Sequence, residues 1–162
     1  MKSIYYYETQ MGKLGIVADE SAVSQILFEG FEPPNEIESC ETEIHAKTAD
    51  QLNEYFSGRR KEFSIPLAPA GTAFQRAVWL ELQKIPYGET RTYRQIAEAV
   101  GRPKACRAVG AANHNNPIPF LIPCHRVIGT GGGLTGYAGG IDMKQRLLLL
   151  EQTNQKNDVK GI

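Results

Sequence analysis

Ile122-Pro123-Cys124-His125-Arg126-Val127-Ile128 is the stretch on which the reading of this chain turns. It follows Asn116-Pro117-Ile118-Pro119-Phe120-Leu121 and leads into a glycine-rich loop, Gly129 to Gly140. A thiol stands beside an imidazole and a guanidinium, on a segment that is apolar on both sides. The thiolate is the reactive form of cysteine, and with an ordinary pKa near 8.5 only a small fraction is ionised at neutral pH. A neighbouring base or positive charge raises that fraction. Pro123 fixes its own φ and biases Ile122 towards extended backbone, so Cys124 is predicted to sit on a rigid bend. The Cys-His pair alone does not separate a nucleophile from a buried structural cysteine, because neighbours on a strand face opposite ways.

The wider pattern does separate them. Pro123 to Val127 is accompanied by Arg107-Ala108-Val109-Gly110, by Asn116-Pro117, by Tyr137 with Gly139-Gly140, and by a final helix expected to end near Glu151. This set resembles the O6-alkylguanine-DNA alkyltransferases, also called methylated-DNA–protein-cysteine methyltransferases, whose hallmark is Pro-Cys-His-Arg-Val. The resemblance runs from about Thr72 to Glu151; the residues before Ile65 match only loosely.

A chain of 162 residues with 41% hydrophobic content suffices for one domain or two small lobes. Met1-Lys2-Ser3-Ile4-Tyr5-Tyr6-Tyr7 lacks the apolar core of a signal peptide, and no run approaches the roughly 20 apolar residues of a membrane span, so no membrane partner is expected. Cys40, Cys106 and Cys124 are odd in number and scattered, which suits neither a disulfide framework nor paired metal ligands. A soluble monomer of a reducing compartment is expected, cytoplasmic, with nucleoid association in a prokaryote or a nuclear location in a eukaryote. The formal net charge of zero conceals an asymmetry: residues 1–70 carry six Lys/Arg against twelve Asp/Glu, and residues 71–162 carry twelve against six. The second half is therefore expected to meet an anion, nucleic acid first; an acidic lobe docking on a basic one is the alternative.

The expected fold class is α/β in the α+β sense, with an amino-terminal lobe over 1–70 and a mostly helical lobe over 71–162. Ile4 to Tyr7, Leu14 to Ala18 and Val23 to Phe28 are β-rich runs broken by turn residues, as in a meander. Glu29 to Glu43, with Pro33-Pro34, reads as an acidic, solvated loop; Thr48 to Phe56 reads as a helix stopped by Ser57-Gly58. Phe63-Ser64-Ile65-Pro66 reads as a last strand. Thr72 and Gln75 form a capping box for a helix whose Phe74, Val78 and Leu82 make a core stripe, ended by Pro86-Tyr87-Gly88. Thr92 caps the next helix, which runs through Val100 to Gly101. Pro103 suits the first position of another, running through about Ala112. Two short helices joined by a glycine-containing turn describe a helix-turn-helix. Arg102, Lys104 and Arg107 gather about the second helix, while Ala105, Ala108, Ala111 and Ala112 keep it slim enough to enter a groove. Asp142 and Gln145 suggest a capping-box-like start to the last helix, whose Leu147 to Leu150 run is expected to be buried.

What the resemblance implies is specific. The fold is a ribonuclease-H-like lobe without that activity, followed by the alkyltransferase domain. Cys124 takes an alkyl group from O6 of guanine, with O4 of thymine a second candidate, in duplex DNA whose damaged nucleotide has been flipped out of the stack. His125 serves as base through a water and Glu151 orients the imidazole. Arg107 fills the vacated space through the minor groove, with Arg102, Lys104, Ala105 and Ala108 on the same recognition surface. Tyr93 assists rotation and stabilises the departing purine. Asn116 braces the turn between recognition helix and active-site segment. Pro119 and Tyr137 flank the guanine, the carbonyls of Cys124 and Val127 accept from its exocyclic amine, and the backbone N–H of Ala138, where some members carry serine, meets O6. Lys144 matches a lysine that follows the double glycine, with a structural role. The glycines of 131–133 and 136–140 are not a phosphate loop, since no Gly-Lys-Ser/Thr follows; they read as a lid carrying Tyr137. No metal or cofactor is implied, and the thioether product makes the protein a single-use acceptor. Two alternatives stand beside this: a non-catalytic sensor of alkylated DNA, although the alkyltransferase-like proteins replace the cysteine that Cys124 retains, and a cysteine hydrolase, which leaves Arg107 and the basic half unexplained.

Overall fold

The structure is a computed structural model that describes residues 1–33, 35–133 and 136–160, with side chains described as far as Gln155. Pro34, half of the Pro33-Pro34 loop signal, and Leu134 and Thr135, inside the expected lid, lie outside the described residues. The chain divides into two compact units, Met1–Ala70 and Gly71–Ile162.

In the first unit β1 (Ser3–Thr9), β2 (Gly12–Ala18) and β3 (Val23–Leu27) form an antiparallel meander. Gly12, at φ +92°, supplies the left-handed residue that lets the β1–β2 hairpin close. A two-residue strand, β4 (Glu38–Ser39), pairs parallel to β1 and completes the order β3-β2-β1-β4. It lies inside the stretch expected to be only loop. Helix α1 (Glu43–Phe56) packs on β2, and Leu14, Ile16, Ala49, Leu52 and Tyr55 are buried. It starts five residues before the expected Thr48. The reason is an unusual cap: the His45 Nδ1 accepts the Thr42 backbone N–H at 3.1 Å, a role for which glutamate or glutamine is the usual signal. Phe63 to Pro66 forms no ladder. Only an isolated bridge joins Val23 to Leu67, because Pro66 has no N–H to give and serves as an acceptor for Val23 N at 2.9 Å.

In the second unit α2 (Ala73–Gln83) begins at the expected capping box, Thr72 with Gln75, and α3 (Tyr93–Ala99) at the expected cap Thr92, which the structure completes as a second box with Gln95. α4 (Cys106–His114) starts later than expected. Arg102 to Ala105 instead forms a turn closed by Ala105 N to Arg102 O at 2.9 Å, with Pro103 at its second position. The buried face of α2 is Val78, Trp79 and Leu82; Phe74, expected in that stripe, is half-buried beneath the Arg102 guanidinium, 5.4 Å from its ring centroid. Trp79 donates from Nε1 to the Ala112 carbonyl at 2.8 Å, supplying one of the carbonyls that the end of α4 leaves unsatisfied. Beyond α4 come a 3-10 turn at Cys124–Arg126, then β6 (Val127–Ile128), which pairs parallel with β5 (Arg91–Thr92). The last helix, α5 (Ile141–Lys160), continues well past Glu151. It begins one residue before Asp142, so Asp142 lies within its first turn rather than at its cap. Leu147 and Leu148 are buried, whereas Leu149 is 63% exposed.

Candidate active site

Cys124 is held from the backbone outward. Pro123, at φ −79° and ψ 67°, is the centre of an inverse γ-turn in which Cys124 N donates to Ile122 O at 2.7 Å. Asn116 Nδ2 donates to the same oxygen at 2.8 Å, while its Oδ1 accepts Ile118 N at 3.0 Å. Asn116 thus ties the exit of α4 to the residues before the nucleophile, and it also hydrogen-bonds the thiol itself. Phe120, buried and at φ 72°, is the non-glycine residue that takes the left-handed conformation in this bend. Asn113 Nδ2, from the last turn of α4, reaches the Cys124 carbonyl at 3.3 Å.

The imidazole is anchored by a fully engaged carboxylate. Glu151, 1% exposed, accepts His125 Nε2 at 2.7 Å and Arg126 Nη2 at 3.0 Å on one oxygen, and Arg126 Nε at 2.8 Å and Gly88 N at 3.2 Å on the other. Arg126 spends its remaining nitrogen on the Ile85 carbonyl at 2.7 Å and lies over the Tyr87 ring. Burial alone would raise the Glu151 pKa, but its hydrogen bonds from His125 and Arg126, with the Arg126 charge, overcome that and bring it to about 2. Burial pushes His125 below its ordinary value in spite of Glu151, so the resting imidazole is neutral and Arg126 is the charge that keeps Glu151 ionised. An ionised carboxylate only accepts, so the His125 proton is on Nε2 and the lone pair is on Nδ1. Nδ1 is the nitrogen that can receive a proton.

Burial pushes the Cys124 thiol up to about 11, against the opposing pull of the Asn116 amide, the Lys144 charge and the backbone N–H groups of Cys124 and His125. At neutral pH the group is a thiol that must surrender a proton to react. Lys144 is buried, donates to the Val127 carbonyl at 2.6 Å, and is lowered by desolvation while the Cys124 charge raises it. Tyr137, also buried, is pushed well above its ordinary value, first by burial and then by the charges of Cys124 and Glu151. The residues that respond to Cys124 are therefore Lys144 on α5 and Tyr137 in the loop before it. Of the carbonyls assigned to the substrate amine, that of Val127 accepts Lys144 Nζ, and that of Cys124 accepts both Asn113 Nδ2 and the Val127 N–H at the end of the 3-10 turn.

The other predicted residues fall around this centre. Pro119 is buried in the bend before Cys124. Tyr93, half-buried at the start of α3, lays its ring along Gly110 of α4, and its hydroxyl lies 3.9 Å from where a Cβ on Gly136 would be, next to Tyr137. Arg107 and Ala108 are exposed on the first turn of α4, and Ala105 caps that helix without a side-chain hydrogen bond. Lys104 and Arg102 are exposed in the preceding turn, not on the helix, and Arg102 is engaged with Phe74. Ala138 is exposed beside the buried Tyr137, in a turn closed by Gly140 N to Tyr137 O at 3.0 Å. Gly131 and Gly132, at φ +90° and +86°, belong to a separate turn closed by Gly129 N to Gly133 O at 2.8 Å. Sequence reasoning missed Asn113, Arg126 as the partner of Glu151, and Gly88 and Ile85 as backbone contributors. The adjacency of Arg126 to His125 was the available signal for the second. Among the described residues no group of three or more His, Cys, Asp or Glu could hold a metal ion, and no helix is long and apolar enough to cross a membrane.

Residues 73–153 match the family described as 6-O-methylguanine DNA methyltransferase, DNA binding domain, and residues 4–69 match its ribonuclease-like domain. The chain is 47% identical over 154 residues to the methylated-DNA–protein-cysteine methyltransferase of Methanosarcina acetivorans, covering 91% of this chain and 98% of that one. It is 46% identical to the constitutive enzyme of that name from Bacillus subtilis, covering 92% and 94%. Among solved structures, the O6-methylguanine methyltransferase of Mycobacterium tuberculosis superposes with a TM-score of 0.87 at 42% identity, covering 95% of this chain and 94% of that one. A complex with DNA of the protein from the same organism gives 0.88 at 41% identity, covering 94% of each chain.

Proposed function

The chain belongs to the 6-O-methylguanine DNA methyltransferase family, and from that premise we propose that it repairs DNA by moving an alkyl group from O6 of guanine irreversibly onto Cys124. The observation that carries this reading is the relay behind the thiol: a buried Cys124, a neutral His125 whose Nε2–H is committed to Glu151, and a Glu151 held ionised by Arg126. The Cys124 proton passes through a water to His125 Nδ1, and the sulfur attacks the alkyl carbon in line with the C–O6 bond. The new S–C bond forms as C–O6 breaks, and the electron pair returns to the purine. Tyr93 hydrogen-bonds that developing anion. His125 becomes an imidazolium, stabilised by Glu151.

The damaged nucleotide must leave the duplex to reach a buried sulfur, at a cost of a few kcal/mol. Arg107, exposed at the start of α4, offsets part of it by entering from the minor groove, with Lys104, Ala105 and Ala108 along the backbone. Pro119 and Tyr137 hold the extruded base, and the Ala138 N–H meets its O6. The protein works as a monomer in the cytoplasm and is consumed by one reaction.

Intact mass after mixing with excess duplex containing O6-methylguanine tests this. One methyl group gained, mapped to Cys124 and absent in Cys124→Ala, is the expected result. Tight lesion binding with no mass change would instead mark a damage sensor, and neither binding nor transfer would return a hydrolase to consideration.

A further inference from the structure

The loop between α2 and β5 supports the relay at three points. The Ile85 carbonyl accepts Arg126 Nη1 at 2.7 Å, and Gly88 N donates to Glu151 at 3.2 Å. Between them the half-buried Tyr87 faces the Arg126 guanidinium, whose Cζ lies 5.6 Å from the ring centroid. The loop is tightly built. Glu89 N to Pro86 O at 3.1 Å closes a four-residue turn with Gly88, at φ +81°, in the third position, where a type II turn needs glycine. A Cβ on Gly88 would meet Gln155 Oε1 at 2.5 Å, so the turn lies directly on α5. Asn154, also on α5, donates from Nδ2 to the Tyr87 hydroxyl at 3.2 Å. The ring is thereby held at its polar tip while its face is given to Arg126.

What that face does follows from the shape of a guanidinium. Each nitrogen of Arg126 is engaged, Nε and Nη2 with Glu151 and Nη1 with Ile85. Such bonds lie in the guanidinium plane, and they resist sliding within it more than tilting out of it. Contact on the flat face opposes the tilt. It is also attractive, since the negative face of an aromatic ring draws a cation within about 6 Å, more strongly where water is excluded. Arg126 is buried. Burial raises the Tyr87 phenol above its ordinary value, so the ring is neutral at pH 7 and acts through its π face. Tilting Arg126 would lengthen its two bonds to Glu151, one of them on the oxygen that accepts His125 Nε2. The imidazole would then lose its fixed direction, and Nδ1 its aim.

We propose that Tyr87 is a positioning residue for the proton acceptor: its ring, held by Asn154, keeps the Arg126 guanidinium flat against Glu151, and Glu151 in turn aims His125. This rests on the alkyl-transfer reading above. It extends the relay to a side chain that acts through Arg126 and Glu151.

Two readouts test this. Tyr87→Phe keeps the face and removes the hydroxyl; Tyr87→Leu keeps apolar bulk and removes the face, with Tyr87→Met in its place should leucine fail to fold. Single-turnover transfer from an O6-methylguanine duplex is measured at saturating protein, below the melting temperature of every variant. The proton on His125 Nε2, shared with a buried carboxylate, is followed as a downfield resonance in nitrogen-edited proton NMR. The phenylalanine variant is expected within about twofold of wild type, whereas leucine lowers the saturated rate about tenfold, leaves DNA affinity unchanged, and shifts and broadens the resonance. A leucine variant with the wild-type rate and resonance overturns the inference. So does a slow leucine variant whose resonance is unmoved, since the imidazole is then aimed as before. A phenylalanine variant as slow as leucine overturns it too, by placing the effect in the Asn154 contact. Absence of transfer from O6-methylguanine to wild-type Cys124 refutes the transfer reading instead, and the resonance still decides whether Tyr87 orders the relay.

Discussion

Replacing Glu151 by glutamine separates the relay from the scaffold, because the side chain keeps its shape and loses its charge. The carboxylate satisfies four donors, two on each oxygen. Glutamine offers one accepting oxygen and turns an NH2 group towards donors. Arg126 is then a buried cation without its anion, and removing one partner of such a pair costs about 3–5 kcal/mol. The pKa leads to a similar figure. A drop from 4.5 to about 2 in a side chain 1% exposed corresponds to about 3 kcal/mol of preference for the ionised form. For a chain of this length that is a melting temperature lower by about 10 °C. The sign sets the pH window. The folded-state pKa lies below the unfolded one, so this stabilisation is complete above about pH 4.5 and is lost as pH falls towards 2. Urea unfolding of wild type and Glu151→Gln at pH 7, 5, 4 and 3 is therefore expected to show a gap of about 3 kcal/mol that narrows at the acid end. Methyl transfer should fall by about a hundredfold or more, because glutamine no longer fixes the His125 proton on Nε2. A gap under about 1 kcal/mol at pH 7, or one that persists undiminished at pH 3, would refute the reasoning.

Three further outcomes are expected. Trp79→Phe removes the donor to the Ala112 carbonyl and leaves space in the α2–α4 contact; a loss of about 2–3 kcal/mol is expected in thermal unfolding, and a change within 0.5 kcal/mol would show that contact to be dispensable. Arg107→Ala should slow transfer from duplex DNA by about tenfold to a hundredfold while sparing transfer from a free O6-alkylguanine base; equal losses on both would place Arg107 in the chemistry instead. Stoichiometric methylation adds volume at a sulfur surrounded by buried residues and should destabilise the protein by about 1–3 kcal/mol, read as a lower melting temperature than that of the unreacted protein.

What could be read without coordinates was what is local. Pro123 dictates the bend at Cys124 by its own ring, and Thr72 with Gln75, and Thr92 as a cap, start their helices through contacts within one turn. Signals with two meanings failed. Pro103 suits the first turn of a helix and the second position of a β-turn equally well, and the Arg102 carbonyl decided for the turn. α1 begins five residues before the helix the sequence predicts, because its cap partner for Thr42 is a histidine where an acid or amide is the usual signal. Asn113 was invisible for another reason. An asparagine late in a helix has no distinguishing pattern, and its partner is a backbone carbonyl across a bend. Leu149, expected in the core, is exposed because four consecutive leucines cannot all face one way on a helix, and only the packing of α5 decides which one is left outside.

The contacts that seat the nucleophile and those that aim its base differ in reach along the chain. Asn113 and Asn116 engage Cys124 and Ile122 over separations of 11 and 6 residues. His125 and Arg126 find Glu151 over 26 and 25, Arg126 finds Ile85 over 41, and Gly88 meets Glu151 over 63. Closing a long loop costs more conformational entropy and comes later in folding than closing a short one. The thiol's cradle can therefore form early and survive fraying of the carboxyl-terminal helix, while the proton acceptor is aimed only once α5 has docked. A chain that has lost its grip on α5 keeps the cysteine in position and has nowhere to send the proton.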